Sequence, residues 1–453
     1  MASLCIHNAT LVTAASERRG GVLVGDDGRI EALLDGDGAA TAAEVIDAKG
    51  KLLFPGFLDA HVHMRDPGFT HKEDFASGTT AAACGGITTV MCMPNSDPAV
   101  DSVAGFEVAR AAGEGSAFVD FTLQGAIVPG NLDDLAELWA TGISSFEALL
   151  ADVPKPVLLD GDQALHALAT VAELDAIVGV LSGAHDIYTG HVARARAAGV
   201  EDYQSAARAR PAVGEAAGLA SLIEMARATG ARVALRQTST ARGFELARRA
   251  KADDVMHRIS VELVPHYMVL DESVLQRLGP FAWMIPPLKT PADCAAAAAA
   301  LADGTVDFIG TDHAPHAIEE KEGKSPWEAM PGTPGLDTAA ASILNAACNG
   351  RIPFARVAEV LCANPARLFS LTGRKGELTP GADGDLVLVD AGAERTVNPY
   401  MIRSKAGRSS FEGTTLKGWP VLTALRGRVV AKNRTLVSAE PGGRFVARRD
   451  VIV

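Results

Sequence analysis

Between about residues 55 and 370, short apolar runs rich in β-branched residues alternate with alanine-rich stretches of helical spacing. No other feature of the 453-residue chain limits its fold as tightly. A run that is apolar on both sides reads as a strand covered on both faces, the condition of a parallel sheet whose neighbours are joined by helices. The runs fall at residues 56–63, 88–93, 118–127, 144–150, 177–180, 232–236, 260–264 and 306–311. Eight such units over roughly 315 residues match a (β/α)8 barrel of the TIM type. Both ends of the chain differ in texture, with short alternating segments at residues 4–12, 21–24 and 29–33 and again at 385–389, 421–425, 428–430 and 444–446, between glycine-containing turns. The expected organisation is a barrel over 55–369 and one discontinuous β-sandwich domain made of 1–54 and 370–453.

Composition narrows the function class. Fifty-five acidic residues against 42 basic ones give a formal net charge of −13, which argues against a surface built to bind nucleic acid. No apolar run reaches the roughly 18–20 residues that a membrane helix needs, and the N-terminus lacks a charged-then-apolar leader pattern. The six cysteines show no CxxC spacing and read as reduced thiols, so the expected compartment is the cytoplasm. Small molecules and other subunits are the expected partners.

In a (β/α)8 barrel the chemistry sits at the carboxyl ends of the strands. The first run ends Asp59-Ala60-His61-Val62-His63, and alternate strand residues face the same side, so His61 and His63 are placed to share one metal ion. The competing reading is one packed histidine and one exposed. The eighth run ends Gly310-Thr311-Asp312-His313, where Asp312 faces the same mouth as a ligand and proton acceptor, against the alternative of a helix N-cap. Pro331-Gly332-Thr333-Pro334-Gly335 reads as a tight loop at the pocket rim.

The segments PGFLDAHVHMRDPG, MPNSDP, PPLKT, GTDHAPH followed by Glu320-Lys321, NPARLF and PGADGDLVLVD, in that order, resemble the cyclic-amide branch of the amidohydrolase superfamily: dihydroorotases, allantoinases and hydantoinases. The resemblance spans essentially the whole chain and implies a metal-dependent barrel with a small β-sandwich from both termini. It also implies two metals bridged by a carboxylated lysine after strand four, with histidines ending strands five and six. Here those positions hold Glu147, Leu181 and Gln237, and Ile285 stands where dihydroorotases have a ring-recognising asparagine. His185 is four residues beyond Leu181 and is a weaker candidate ligand. The departures fall on the bridge and the second metal, so a single-ion centre is expected.

The resulting expectation is a hydrolase opening a cyclic amide. One divalent ion, zinc by donor type, is held by His61, His63, Asp312 and Glu147 and activates a water, with Asp312 as general base. By resemblance, Arg65 and Asn95 bind an acidic substituent and His316 joins them, while Glu262 and His266 orient the site. Dimers or tetramers of the chain are expected. The alternative is a non-catalytic dihydroorotase-like subunit with an assembly or regulatory role, favoured by Glu147, Leu181, Gln237 and Ile285.

Overall fold

The computed structural model describes residues 2–153, 155–253 and 258–449. Eight parallel strands, Phe57–Val62, Ile87–Cys92, Asp120–Ile127, Ser145–Leu149, Ile177–Leu181, Arg232–Leu235, Ile259–Leu263 and Phe308–Ile309, lie in sequence order around one sheet. The barrel closes where Val62 bridges His313 in parallel and the His63 N–H donates to the His313 carbonyl at 2.8 Å. All eight expected strands are present. Each is buried nearly throughout, as helices on the outside and side chains on the inside require. The first of these helices, Phe75–Gly85, starts at a capping box on Asp74 and ends at Gly86, whose φ of 89° only glycine adopts without strain.

The chain ends form the second unit. Leu4–Val12, Glu17–Val24, Ile30–Asp35, Glu44–Asp47 and Leu52–Pro55 join Leu386–Thr396, Thr415–Leu425, Arg428–Lys432 and Thr435–Leu436 in one nine-stranded sheet. The two halves meet where Leu52–Pro55 runs antiparallel to Leu386–Thr396. One expected strand is different. Residues 444–446 leave this sheet, and Phe445 makes a single bridge to Phe121 on the third barrel strand, its ring 5.4 Å from that of Phe106 and 5.9 Å from that of Phe121. The apolar gain of filling the gap between that strand and its helix outweighs pairing at a solvent-facing sheet edge. Residues 450–453 of the expected terminal domain lie outside the described residues. Among the described residues no helix is long and apolar enough to cross a membrane.

The seam between barrel and sheet, packed by apolar residues such as Phe54, Val387 and Val389, also holds a buried ionic cluster. The Lys375 ammonium, 1% exposed, sits 2.6 Å from Asp120 at the start of the third barrel strand and 2.9 and 2.7 Å from Asp383 and Asp385 before the sheet. Arg426 reaches Asp120 as well. Burial alone would push Asp120 up, but these two cations hold its carboxyl below the usual range. Lys375 is the ammonium that all three buried carboxylates share, so Lys375→Met should cost roughly 3–5 kcal/mol of unfolding free energy in a urea titration. A loss under about 1 kcal/mol would show that the seam does not rest on this cluster.

Candidate active site

The barrel's strand ends bring His61, His63 and Asp312 together, with candidate ligand atoms all within 4.8 Å of one another. His61 and His63 sit two residues apart on and just beyond the first strand, and their rings are 5.3 Å apart. Asp312 follows the eighth strand in the left-handed region, at φ 48°, which turns its carboxylate over the mouth. Its Oδ1 lies 3.3 Å from His61 Nε2 and 3.1 Å from His63 Nε2.

The far side of each imidazole is committed. His61 Nδ1 is 3.0 Å from Glu262 Oε1, and His63 Nδ1 is 2.7 Å from Asn95 Oδ1. Both partners are acceptors, so each Nδ1 carries the hydrogen and each Nε2 presents a lone pair toward Asp312. Electron pairs from two nitrogens and an oxygen then face one another, a set satisfied by a proton on one ring or by a divalent cation. The same opposition appears in the acidities. Burial disfavours charge on His61, but the Glu262 and Asp312 carboxylates outweigh it and raise its pKa; burial lowers that of His63. Asp312 would be pushed up by burial, yet His61 and His63 hold it at about 2, so it is a carboxylate at neutral pH. These donors fit a zinc-like ion.

Glu147, expected as a further ligand, lines the cavity but is not in this cluster. Both its oxygens face Arg236: Oε2 accepts from Nε at 3.1 Å and Oε1 accepts from Nη2. The guanidinium engages both oxygens, and neither is among the ligand atoms that gather at His61, His63 and Asp312. Arg236, 1% exposed, is absent from the candidates that sequence supplies. The signal it carries there is a basic residue one place beyond the buried strand Arg232–Leu235. Gln237, the next residue and also left-handed at φ 53°, donates Nε2 to Asp312 Oδ2 at 2.5 Å and its backbone N–H to Glu262 Oε2 at 2.9 Å. Asp59 is a further residue that sequence reasoning missed. Its Oδ1 accepts from the Thr311 and His61 N–H groups, tying strands one and eight, and burial pushes its carboxyl up to about 6.

Above the cluster is a cavity of about 370 Å³. Leu181 and Ile285 contribute apolar wall, and Met330, Pro331 and Gly332 form part of the rim. Lys321 fixes that rim by donating to the carbonyls of Trp283, Met330 and Gly332 at 3.2, 2.8 and 2.6 Å. Arg65, at φ 60°, points into the cavity with Nε on the Pro315 carbonyl at 3.3 Å. It makes no carboxylate pair among the described residues, and burial brings its pKa down to about 10. His316 lies beside it, Nε2 3.0 Å from the Pro331 carbonyl and Nδ1 3.3 Å from the Lys72 ammonium. Burial together with the Arg65, Lys321 and Lys72 charges holds His316 neutral, down to about 2.

Three further candidates have other surroundings than expected. Asn95 lines the cavity, but its carbonyl oxygen serves His63. His266 is buried in the short helix Pro265–Val269, its Nε2 unbonded among the described residues, and burial lowers its pKa to about 4. It makes no hydrogen bond to the cluster. His185 opens the helix His185–Ala197 and stands outside the cluster as well.

Comparison with known proteins agrees with this geometry. Residues 52–430 match the model of the amidohydrolase family. The chain is 33% identical to an allantoinase of Rubrobacter xylanophilus over 96% of its length and 97% of that protein. It is 36% identical to a dihydroorotase of Pelotomaculum thermopropionicum over 87% and 90%, and 30% identical to an L-hydantoinase of Paenarthrobacter aurescens over 99% of each. Among solved structures, an L-hydantoinase (dihydropyrimidinase) from Arthrobacter aurescens superimposes with a TM-score of 0.95 at 29% identity, covering 99% of this chain and 100% of that one. A strand-end HxH and an aspartate on a closed eight-stranded barrel, matched over nearly the full length by these relatives, mean that the chain belongs to the amidohydrolase family.

Proposed function

We propose that the protein is a hydrolase of cyclic amides that works with one divalent ion, zinc by its donor set, held by His61, His63 and Asp312. The observation that carries the reading is the pair of histidines locked by Glu262 and Asn95 so that both Nε2 atoms converge on Asp312 Oδ1. Further support comes from the relatives, whose names (allantoinase, dihydroorotase and L-hydantoinase) all denote enzymes that open ring amides. When bound, such an ion supplies Lewis acidity for a carbonyl and acidifies water.

The chain's own residues supply the rest. Asp312, ionised at neutral pH, takes the proton of the attacking water and delivers it to the ring nitrogen as the amide C–N bond breaks. Gln237 fixes the direction of that carboxylate through Oδ2. Arg65 makes no carboxylate pair among the described residues; with Nε on the Pro315 carbonyl and Nη2 3.2 Å from His316 Nε2, its remaining Nη hydrogens are offered to an acidic group on the substrate. His316, held neutral, adds no charge beside it. Asn95 keeps its Nδ2 hydrogens for the substrate while its oxygen holds His63. Leu181 and Ile285 add apolar lining to the cavity, which suits the face of a ring. A cytoplasmic dimer or tetramer is the assembly that this reading carries forward.

Elemental analysis of the purified protein should return about one divalent ion per chain, and a metal-free protein without activity would instead support the non-catalytic subunit. Asp312→Asn should lower turnover of ring amides by at least about a thousandfold with an unchanged melting temperature; an active variant would sink the mechanism. Asn95→Ala should weaken zinc affinity about 10- to 100-fold in chelator competition, because His63 loses the partner that fixes its tautomer. Affinity equal to wild type would mean that Asn95 serves the substrate alone.

A further inference from the structure

We propose that Arg236 is a built-in cation that limits this site to a single metal ion; the inference rests on the metal reading above. The guanidinium crosses the barrel interior and uses all three nitrogens. Nε and Nη2 take Glu147 on strand four, Nη1 donates to Glu262 Oε1 at 2.8 Å and to the Ala60 carbonyl at 3.1 Å, and Nη2 donates to Gln124 Oε1 at 2.7 Å. Strands one, three, four and seven thus converge on one side chain.

The space around it is shaped to match. A Cβ at Gly179 on strand five would lie 2.3 Å from Arg236 Nε and 2.3 Å from Glu147 Oε2, and one at Gly310 would lie 2.1 Å from Glu262 Oε1. Side chains at either position would displace the ion pairs, so the interior accommodates this network and little else.

Charge balance then fixes the stoichiometry. The run of contacting groups Glu147, Arg236, Glu262, His61 and Asp312 contains three carboxylates and one guanidinium. Two negative charges remain, and one divalent ion neutralises them. A second ion would bring excess positive charge into a buried site where it meets a fixed guanidinium, and repulsion at low dielectric opposes that. Arg236 also keeps Glu147 from turning toward the histidines and holds the Glu262 oxygen that fixes His61, so it is a positioning residue rather than a catalytic one.

Arg236→Ala removes the cation and frees Glu147. After dialysis against zinc, elemental analysis should give about two ions per chain in this variant against about one in wild type. The extra ion should be lost in Arg236→Ala/Glu147→Gln, and Arg236→Lys should stay at one. Glu147→Gln alone keeps the shape and the guanidinium, and supplies a measurement if the alanine variant does not fold. It leaves the network one negative charge short and should weaken zinc binding at least about tenfold, although Glu147 does not touch the ion. One ion in a folded Arg236→Ala protein, or unchanged zinc affinity in Glu147→Gln, would overturn the inference. Wild-type protein that takes up no zinc would instead overturn the metal reading beneath it.

Discussion

A carboxylate buried as a charge in a protein interior needs a positive charge or several donors buried with it, and two cationic clusters that meet that demand organise this molecule. At the seam, Lys375 gathers Asp120, Asp383 and Asp385 and so joins the barrel to the sheet formed by the chain ends. Inside the barrel, Arg236 gathers Glu147 and Glu262 and so joins four strands below the mouth. Arg236 occupies interior space that a (β/α)8 barrel ordinarily fills with branched aliphatic side chains.

The rigidity below the mouth explains the order above it. Glu262 is held by Arg236 and by the Gln237 N–H, so the His61 ring that it receives has one orientation. Asn95 does the same for His63 from a different strand end. Asp312 and Gln237 adopt left-handed backbone conformations that few non-glycine residues occupy, and they are tied to each other by a short hydrogen bond. Strain at the strand ends is thus set against a fixed layer beneath, which is how a site can be preorganised before any ligand arrives.

How much of this is legible in the sequence depends on the physical range of each signal. Strands announce themselves through local pattern, and all eight barrel strands follow it; HxH and the following strand-end aspartate are legible because alternation and barrel topology alone bring them together. Pairings between distant strands are not legible in that way. Glu147 as a ligand and Glu147 as the partner of Arg236 are the same residue in the same place, and only the position of residue 236 across the barrel separates them. Asn95 illustrates the same limit, since its place near the substrate mouth is readable while the commitment of its oxygen to His63 is not. Residues 444–446 have the composition of a strand, and what removes them from the sheet is an aromatic gap beside Phe121 that no local pattern encodes.

The glycine at position 179 has a consequence for how this chain can change over time. A methyl group there would collide with both members of the Glu147–Arg236 pair, and loss of either member alone would strand a buried charge. Positions 147, 179 and 236 are therefore coupled: a single step away from the present arrangement passes through a destabilised intermediate, so the cost of changing any one of them depends on the other two.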